Sequence, residues 1–293
     1  MAFRTLVITE TSKLELSLGY LVVRKREAVI RVHLAEIDAI LVETTSAALT
    51  TALLCELSRR KIKIIFCDEK HNPFAEMVDF YGSVDSTLRI REQISWPESI
   101  KSAVWTSIVR AKITRQRQLL LDEGHVEAAD LLRAYCQSLK PGDPDNREGH
   151  AAKVYFNTLF GQGFNRQFDS PVNAALNYGY SILLSTFNKE IVSRGYLTQL
   201  GIFHDNQFNQ FNLSSDLMEP FRAFVDRKVL TLSITEFTLE IKHELVDLLN
   251  QPVMIDSSRQ LLSNAINIYC SSVFRALLTA DPSQLLHYQW SDS

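Results

Sequence analysis

The hydrophobic period of this chain changes once, near residue 75, and that change limits the fold more than any single motif does. Before it, "RTLVITE", "KLELSLGYLVVRK", "EAVIRVHL" and "IDAILVET" are short runs rich in Val, Ile and Leu, broken by polar residues or Gly. Such runs predict strands. "TSAALTTALLCELSRRK" interrupts them with Leu49, Leu53, Leu54 and Leu57 at helical spacing, and "IKIIFCDE" returns to strand character. "KHNPF" at 70–74 is the turn-like boundary. From about residue 85 onward the stretches are helix-length and amphipathic. They include "SIKSAVWTSIVRAKITRQRQLLL", "HVEAADLLRAYCQSL", "REGHAAKVYFNTLF", "EPFRAFVDRKVL", "TEFTLEIKHELVDLLN" and "SRQLLSNAINIYCSSVFRALL". The clearest helix is "SPVNAALNYGYSILLSTFNKEIVSRG", with Pro171 in its first turn and Gly195 placed to end it. It is apolar on most sides and is expected to run through the middle of the helical part. The expected fold class is α+β: a small N-terminal β-rich domain, a sheet with one helix, over 1–75, then a larger all-α domain over 76–293. The tail "DPSQLLHYQWSDS" reads as loosely ordered.

Composition narrows the functional classes. With 46% hydrophobic and 22% charged residues over 293 positions, the chain has the profile of a soluble globular protein with a large core. No apolar run approaches a bilayer span and no leader-like N-terminus is visible, so a cytoplasmic location is expected. Cys55, Cys67, Cys136 and Cys270 are scattered singly, a spacing of reduced thiols and not of a disulfide framework or zinc knuckle. Net charge is −3, so overall electrostatics do not advertise nucleic-acid binding. Local charge says more: Lys101, Arg110, Lys112, Arg115 and Arg117 lie in one stretch without an acid. That run is either a solvated helix face or a surface that tracks phosphates.

No Walker A loop, G-x-G-x-x-G, G-x-S-x-G or H-E-x-x-H is present, and "GQGFNR" at 161–166 reads as a flexible loop. Three places remain. Glu148 falls in the first turn of a helix capped by Asp145 or Asn146, where a carboxylate is favourable by ~0.3–1 kcal/mol without any further role. His150, two residues on, points to another face. His204 stands in the polar connection "LGIFHDNQFNQFN", where a surface histidine is the plain explanation. In "SSDLMEPFR", Asp216 as N-cap and Glu219 at the third helical position match a capping box, with Pro220 tolerated in the first turn. Taken together, a histidine and two or three carboxylates form an oxygen and nitrogen donor set. That set suits Mn²⁺ or Mg²⁺ and lacks the thiolates that select zinc.

"REGHAAKVYF", "NAALNYGYSILL", the histidine of "GIFH", and "DLMEPFR" followed by "VD" resemble, in that order, the CRISPR-associated adaptation integrase family, whose members are often described as endonucleases. The resemblance spans almost the whole chain, is densest from Glu148 to Asp226, and is nearest the form found in type II-A systems. It implies a metal site on Glu148, His204 and Glu219, with Asp216 as an auxiliary acid and Mg²⁺ or Mn²⁺ as cofactor. It implies homodimers through the N-terminal domain, bridged by a small ferredoxin-like Cas partner, with the ring-shaped accessory protein and RNA-guided effector nuclease of type II-A systems as further partners. The implied substrates are double-stranded DNA, both the captured fragment and the leader–repeat. The 3′-hydroxyl of the fragment attacks a phosphodiester there by transesterification. Under this reading Lys101, Arg110, Lys112, Arg115 and Arg117 are candidate DNA-backbone contacts. Two departures stand out: many members carry Asp where this chain has Glu219, and Pro where it has Ala223. Two other readings stay open: a metal nuclease that hydrolyses branched or duplex DNA, and a DNA-end-binding scaffold without chemistry. The scaffold reading predicts a lost ligand, and all three candidates are present.

Overall fold

In the computed structural model, which describes residues 4–79 and 83–290, the early apolar runs make eight strands and one helix. They are β1 (Arg4–Ile8), β2 (Lys13–Ser17), β3 (Tyr20–Arg24), β4 (Val29–His33), β5 (Ile37–Val42), β6 (Ala48–Leu49), α1 (Thr51–Arg59), β7 (Lys63–Cys67) and β8 (Pro73–Glu76). The sequence suggested one sheet; the chain builds two. "KLELSLGYLVVRK" folds back on itself as the β2–β3 hairpin of a sheet ordered β4-β3-β2-β6. The second sheet, β1-β5-β7-β8, is parallel except for β8.

The parallel strands explain why "IDAILV" and "KIIFC" are apolar without alternation. Successive residues point to opposite faces, and both faces are covered. Ile40, Val42 and Ile64 pack into the small core with Leu14, Leu21, Leu53 and Leu57. Leu41, Ile65 and Cys67 point the other way, into the core of the helical part.

The helices that follow are α2 (Ser86–Ile94), α3 (Glu98–Asp122), α4 (Val126–Gln137), α5 (Arg147–Phe160), α6 (Pro171–Val192), α7 (Asn212–Met218), α8 (Arg222–Thr231), α9 (Leu239–Val246) and, beyond two strands, α10 (Leu262–Thr279). Helix α6 is buried along most of its length. Ser170 caps it by accepting from the Asn173 N–H, and Gly195, at φ +82°, turns the chain after its end. Between α7 and α8, residues Glu219–Phe221 form one 3₁₀ turn.

The region after residue 76 is not all-α. β9 (Pro252–Ile255), β10 (Ser258–Leu261) and β11 (Gln289–Trp290) form a three-stranded sheet ordered β10-β9-β11. "SRQL" had looked like the start of the last helix. Asp256 and Ser257 both take positive φ, a two-residue hairpin turn that returns the chain as β10 before α10 begins. The tail is likewise ordered up to Trp290, its last three residues lying outside the described ones. Leu285, Tyr288 and Trp290 are buried, β11 pairs with β9, and the Tyr288 hydroxyl donates to the Pro220 carbonyl at 2.9 Å. Cys67 and Cys270 are buried free thiols, whereas Cys55 is exposed.

Candidate active site

Helix α5 starts with its amides already satisfied. Asn146, in the left-handed region, accepts from the Gly149 N–H at 3.2 Å. Asp143 accepts from the N–H groups of Arg147 and Glu148 at 2.7 and 2.9 Å. The capping work falls to Asn146 and Asp143, so the Glu148 side chain is free to reach across to α3. His150 lies on the outer face, its ring 6.2 Å from that of Tyr135.

Asp216 is not a helix cap. It sits inside α7, fully buried, and its carboxylate gathers the loop that carries His204. It accepts from the backbone N–H groups of Ile202 (2.6 Å), Phe203 (3.0 Å) and His204 (3.1 Å), and bonds His204 Nδ1 at 2.6 Å. A side chain at Gly201 would put its Cβ 2.2 Å from the His204 carbonyl oxygen and 2.8 Å from Asp216 Oδ2, so only glycine lets the loop wrap so closely. Phe203 stacks on Trp105 of α3 with ring centroids 4.4 Å apart, and His204 meets the same indole edge-on. With Nδ1 held by Asp216, the ring presents Nε2 outward, the arrangement by which carboxylates orient ligating or proton-carrying histidines. The bond to Asp216 raises the His204 pKa above its ordinary value against the effect of burial; Glu219 and Glu148 add to the rise through their charge.

Glu219 comes from the 3₁₀ turn, with Pro220 behind it. Its Oε1 accepts from Arg222 Nε at 2.9 Å and its Oε2 from Lys112 Nζ at 2.5 Å. Lys112 Nζ also bonds Glu148 Oε1, so one ammonium bridges the two acids. Burial would push the Glu219 carboxyl up, but Arg222 and Lys112 outweigh it and hold the pKa at about 2. Burial likewise works against the charge on Lys112, and Glu219 with Glu148 reverses it, raising the pKa. Trp105 and Lys112 are seven residues apart, hence on one face of α3. That face backs both the histidine and the two glutamates.

Beyond Glu219 a cleft of about 520 Å³ is lined by Lys112, Phe156, Arg166, Asn177, Tyr180 and Arg222, among others. Arg166 bonds the side-chain oxygens of Asn173 and Asn177, and Arg222 lies 4.7 Å over the Tyr180 ring. Below it, Asp226 is buried and accepts from the hydroxyls of Tyr155 (2.9 Å) and Tyr180. Burial raises its pKa to about 6 although both hydroxyls and the nearby arginines pull it down.

The structure brings Glu148, Glu219 and His204 to one side of α3 and gives Asp216 the part of orienting the histidine. It does not gather the basic run on one exposed face. Lys112 is turned inward between the glutamates; Arg115 bonds the Tyr288 carbonyl and lies over its ring. Lys101 pairs with Glu98 at 2.7 Å, Arg110 is exposed and donates to the Cys136 carbonyl at 3.0 Å, and the Arg117 Nε is buried. Sequence reasoning missed Lys112 as a partner of both acids, Asp143 as the helix-start acceptor, and the Asp226 tyrosine pair. The absence of any acid among the five basic residues of that run concealed the acids that meet Lys112 from other helices.

As to a metal, the donors fit in kind: two carboxylates already converge on one cation, and an oriented imidazole nitrogen stands nearby. Their spacing is wider than a bound ion requires. Among the described residues no three His, Cys, Asp or Glu side chains are grouped closely enough to hold an ion. In this arrangement the Lys112 ammonium takes the place between Glu148 and Glu219.

Comparison with known proteins identifies the family and the fold. The model of the family described as CRISPR associated protein Cas1 matches residues 6–244. The CRISPR-associated endonuclease Cas1 of Neisseria meningitidis serogroup C (strain 8013) is 32% identical over 291 residues, covering 97% of this chain and 95% of that protein. Among solved structures, a casposase bound to integration product superposes with a TM-score of 0.75 at 18% identity, over 94% of this chain and 91% of that one. A Cas6-RT-Cas1–Cas2 complex matches with a TM-score of 0.73 at 19% identity, over 96% of this chain but only 36% of that longer one. At these identities the structural matches speak for the fold: strands first, then a larger helical region.

Proposed function

This chain belongs to the CRISPR-associated Cas1 family, and from that premise we propose that it is a metal-dependent DNA integrase of CRISPR adaptation. The observation that carries the reading is the meeting of Glu148 and Glu219 on one cation, beside a histidine whose Nε2 is aimed outward by Asp216. Glu148, His204 Nε2 and Glu219 would hold Mn²⁺ or Mg²⁺. When bound, such an ion supplies Lewis-acid stabilisation of charge on the attacking and leaving oxygens of a phosphodiester.

The chain's own residues do the rest. Asp216 holds the imidazole in one tautomer and orientation. Arg166 and Arg222 line the cleft beside Glu219 and offer guanidinium donors to a phosphodiester strand. In the reaction, the 3′-oxygen of a captured fragment forms a bond to phosphorus as the bond to the target strand's own 3′-oxygen breaks. One phosphodiester replaces another, the attacking hydroxyl loses its proton, and the released 3′-oxygen gains one. The substrates are double-stranded DNA, and the reaction takes place in the cytoplasm. The exposed Val29 and Ile30 on edge strand β4 suit the self-pairing expected of an N-terminal dimer interface. The small ferredoxin-like Cas partner, and the accessory protein and effector nuclease of type II-A systems, complete the proposed assembly.

The test supplies the full chain and its Cas partner with labelled duplex ends, a supercoiled plasmid carrying a repeat, and Mn²⁺ or Mg²⁺. Covalent transfer of label to the plasmid, abolished by His204→Ala, is the expected result. Plasmid cleavage without transfer would instead favour hydrolysis, and cleavage indifferent to His204→Ala would remove the proposed site altogether.

A further inference from the structure

Lys112 stands where its chemistry is most consequential. Its side chain is 10% exposed and shares one ammonium between Glu148 and Glu219, whose side chains are 27% and 7% exposed. Glu219 has a second cation in Arg222; among the described residues Glu148 forms no ion pair except that with Lys112. The ammonium therefore bridges the two acids, and it stands where the cation of the proposed site would have to fit. It also lines the cleft that Arg166, Tyr180 and Arg222 share. Four methylenes and a compact ammonium let a lysine exchange partners with no backbone movement. A phosphate in that cleft is a partner of the right charge.

We propose that Lys112 is a tethered cation that couples metal loading to DNA arrival. In the free protein it shares with Arg222 the neutralisation of Glu148 and Glu219 and competes with the divalent ion. A phosphodiester entering the cleft draws the ammonium away and leaves both carboxylates to the metal. The proposal rests on the metal-integrase reading above, since it needs both a metal at Glu148, His204 and Glu219 and DNA in the cleft. Its physical content is a coupling between two ligands. DNA tightens the metal and, reciprocally, the metal tightens DNA. It makes Lys112 a positioning residue that withholds the metal until substrate is present.

The experiment measures Mn²⁺ affinity of the full chain by the electron paramagnetic resonance signal of free Mn²⁺. It is done first with Mn²⁺ alone and then with a saturating duplex ending in 3′-dideoxynucleotides. Lys112→Met is expected to bind Mn²⁺ alone at least about tenfold more tightly than wild type. The tightening that duplex produces in wild type should shrink in the variant by the same factor. Lys112→Arg keeps the charge and grips two carboxylates at least as firmly, so its Mn²⁺ affinity should be no tighter than that of wild type. Weaker or unchanged Mn²⁺ binding in Lys112→Met, or tighter binding in Lys112→Arg, overturns the proposal. If Lys112→Met does not fold, the Lys112→Arg result decides it. Glu219→Gln and His204→Ala, measured alongside, separate the two levels. If they leave Mn²⁺ affinity unchanged, the metal assignment itself fails. If they weaken it while Lys112→Met does not tighten it, only the coupling fails.

Discussion

Among the described residues two buried lysines meet carboxylates, and they behave differently. Lys63 of β7 pairs with Glu76 at 2.7 Å where the mixed sheet meets α6. Lys112 of α3 sits between Glu148 and Glu219. Burial lowers the pKa of Lys63, because one glutamate does not fully offset lost hydration. That glutamate is also shared: Ser185 and Asn188 of α6 donate to its two oxygens. Lys112 faces two acids, and its pKa rises in spite of burial. The first pair is a closed arrangement that joins sheet to helix. The second is a cluster of two acids and two cations, because Arg222 also reaches Glu219, while Lys112 alone spans Glu148 and Glu219.

The sharpest way to break this comparison is to remove one charged partner at each place. Glu219→Gln should lower DNA joining about a thousandfold or more, at temperatures where the variant is still folded, if it ligates a metal that does the electrostatic work. Joining lost only in proportion to the fraction of variant unfolded would mark Glu219 as structural. Lys63→Ala should act in the opposite sense, costing about 3–5 kcal/mol of stability by stranding Glu76. Urea unfolding measures it, and a cost below ~1 kcal/mol would mean that Ser185 and Asn188 suffice for Glu76.

Asp216→Asn comes next. It removes the charge that orients His204 but no proposed ligand, and should reduce joining by about 10–100-fold. A loss equal to that of Glu219→Gln would make Asp216 a ligand. The smallest effect is a pH dependence. The pKa of Asp226 is raised to about 6, so the folded state binds this proton more tightly than the unfolded one. Its contribution to stability is therefore full below the unfolded value near ~4 and declines as pH rises toward the folded one. Asp226→Asn should flatten the fall in urea midpoint across that window. An unchanged slope would show that Tyr155 and Tyr180 hold the carboxylate ionised throughout. Glu219 has the reverse sign: its folded pKa near 2 contributes stability that is present above the usual carboxylate range and lost as pH falls.

The sequence by itself determined the α+β layout, the buried central helix with its Pro171 start and Gly195 stop, and the donor types of the site. These follow from local period, capping chemistry and side-chain identity, which a linear reading contains. Local reasoning erred where two neighbours in sequence serve distant partners. Asp216 and Glu219 fit a capping box in isolation, yet Asp216 gathers the His204 loop from within α7 and Glu219 turns toward α3. The basic run on α3 read as either a solvated face or a phosphate-tracking surface, because the acids that receive Lys112 lie 36 and 107 residues away. The hairpin of β9 and β10 and the ordered tail escaped notice for the same reason. Two- to four-residue strands are stabilised by the surface they cover, and Tyr288 and Trp290 find theirs against Phe221 and Phe224. Tertiary structure alone decided which charges meet. Ion pairing depends on distance through space and on how much water is excluded, and neither is written into residue order.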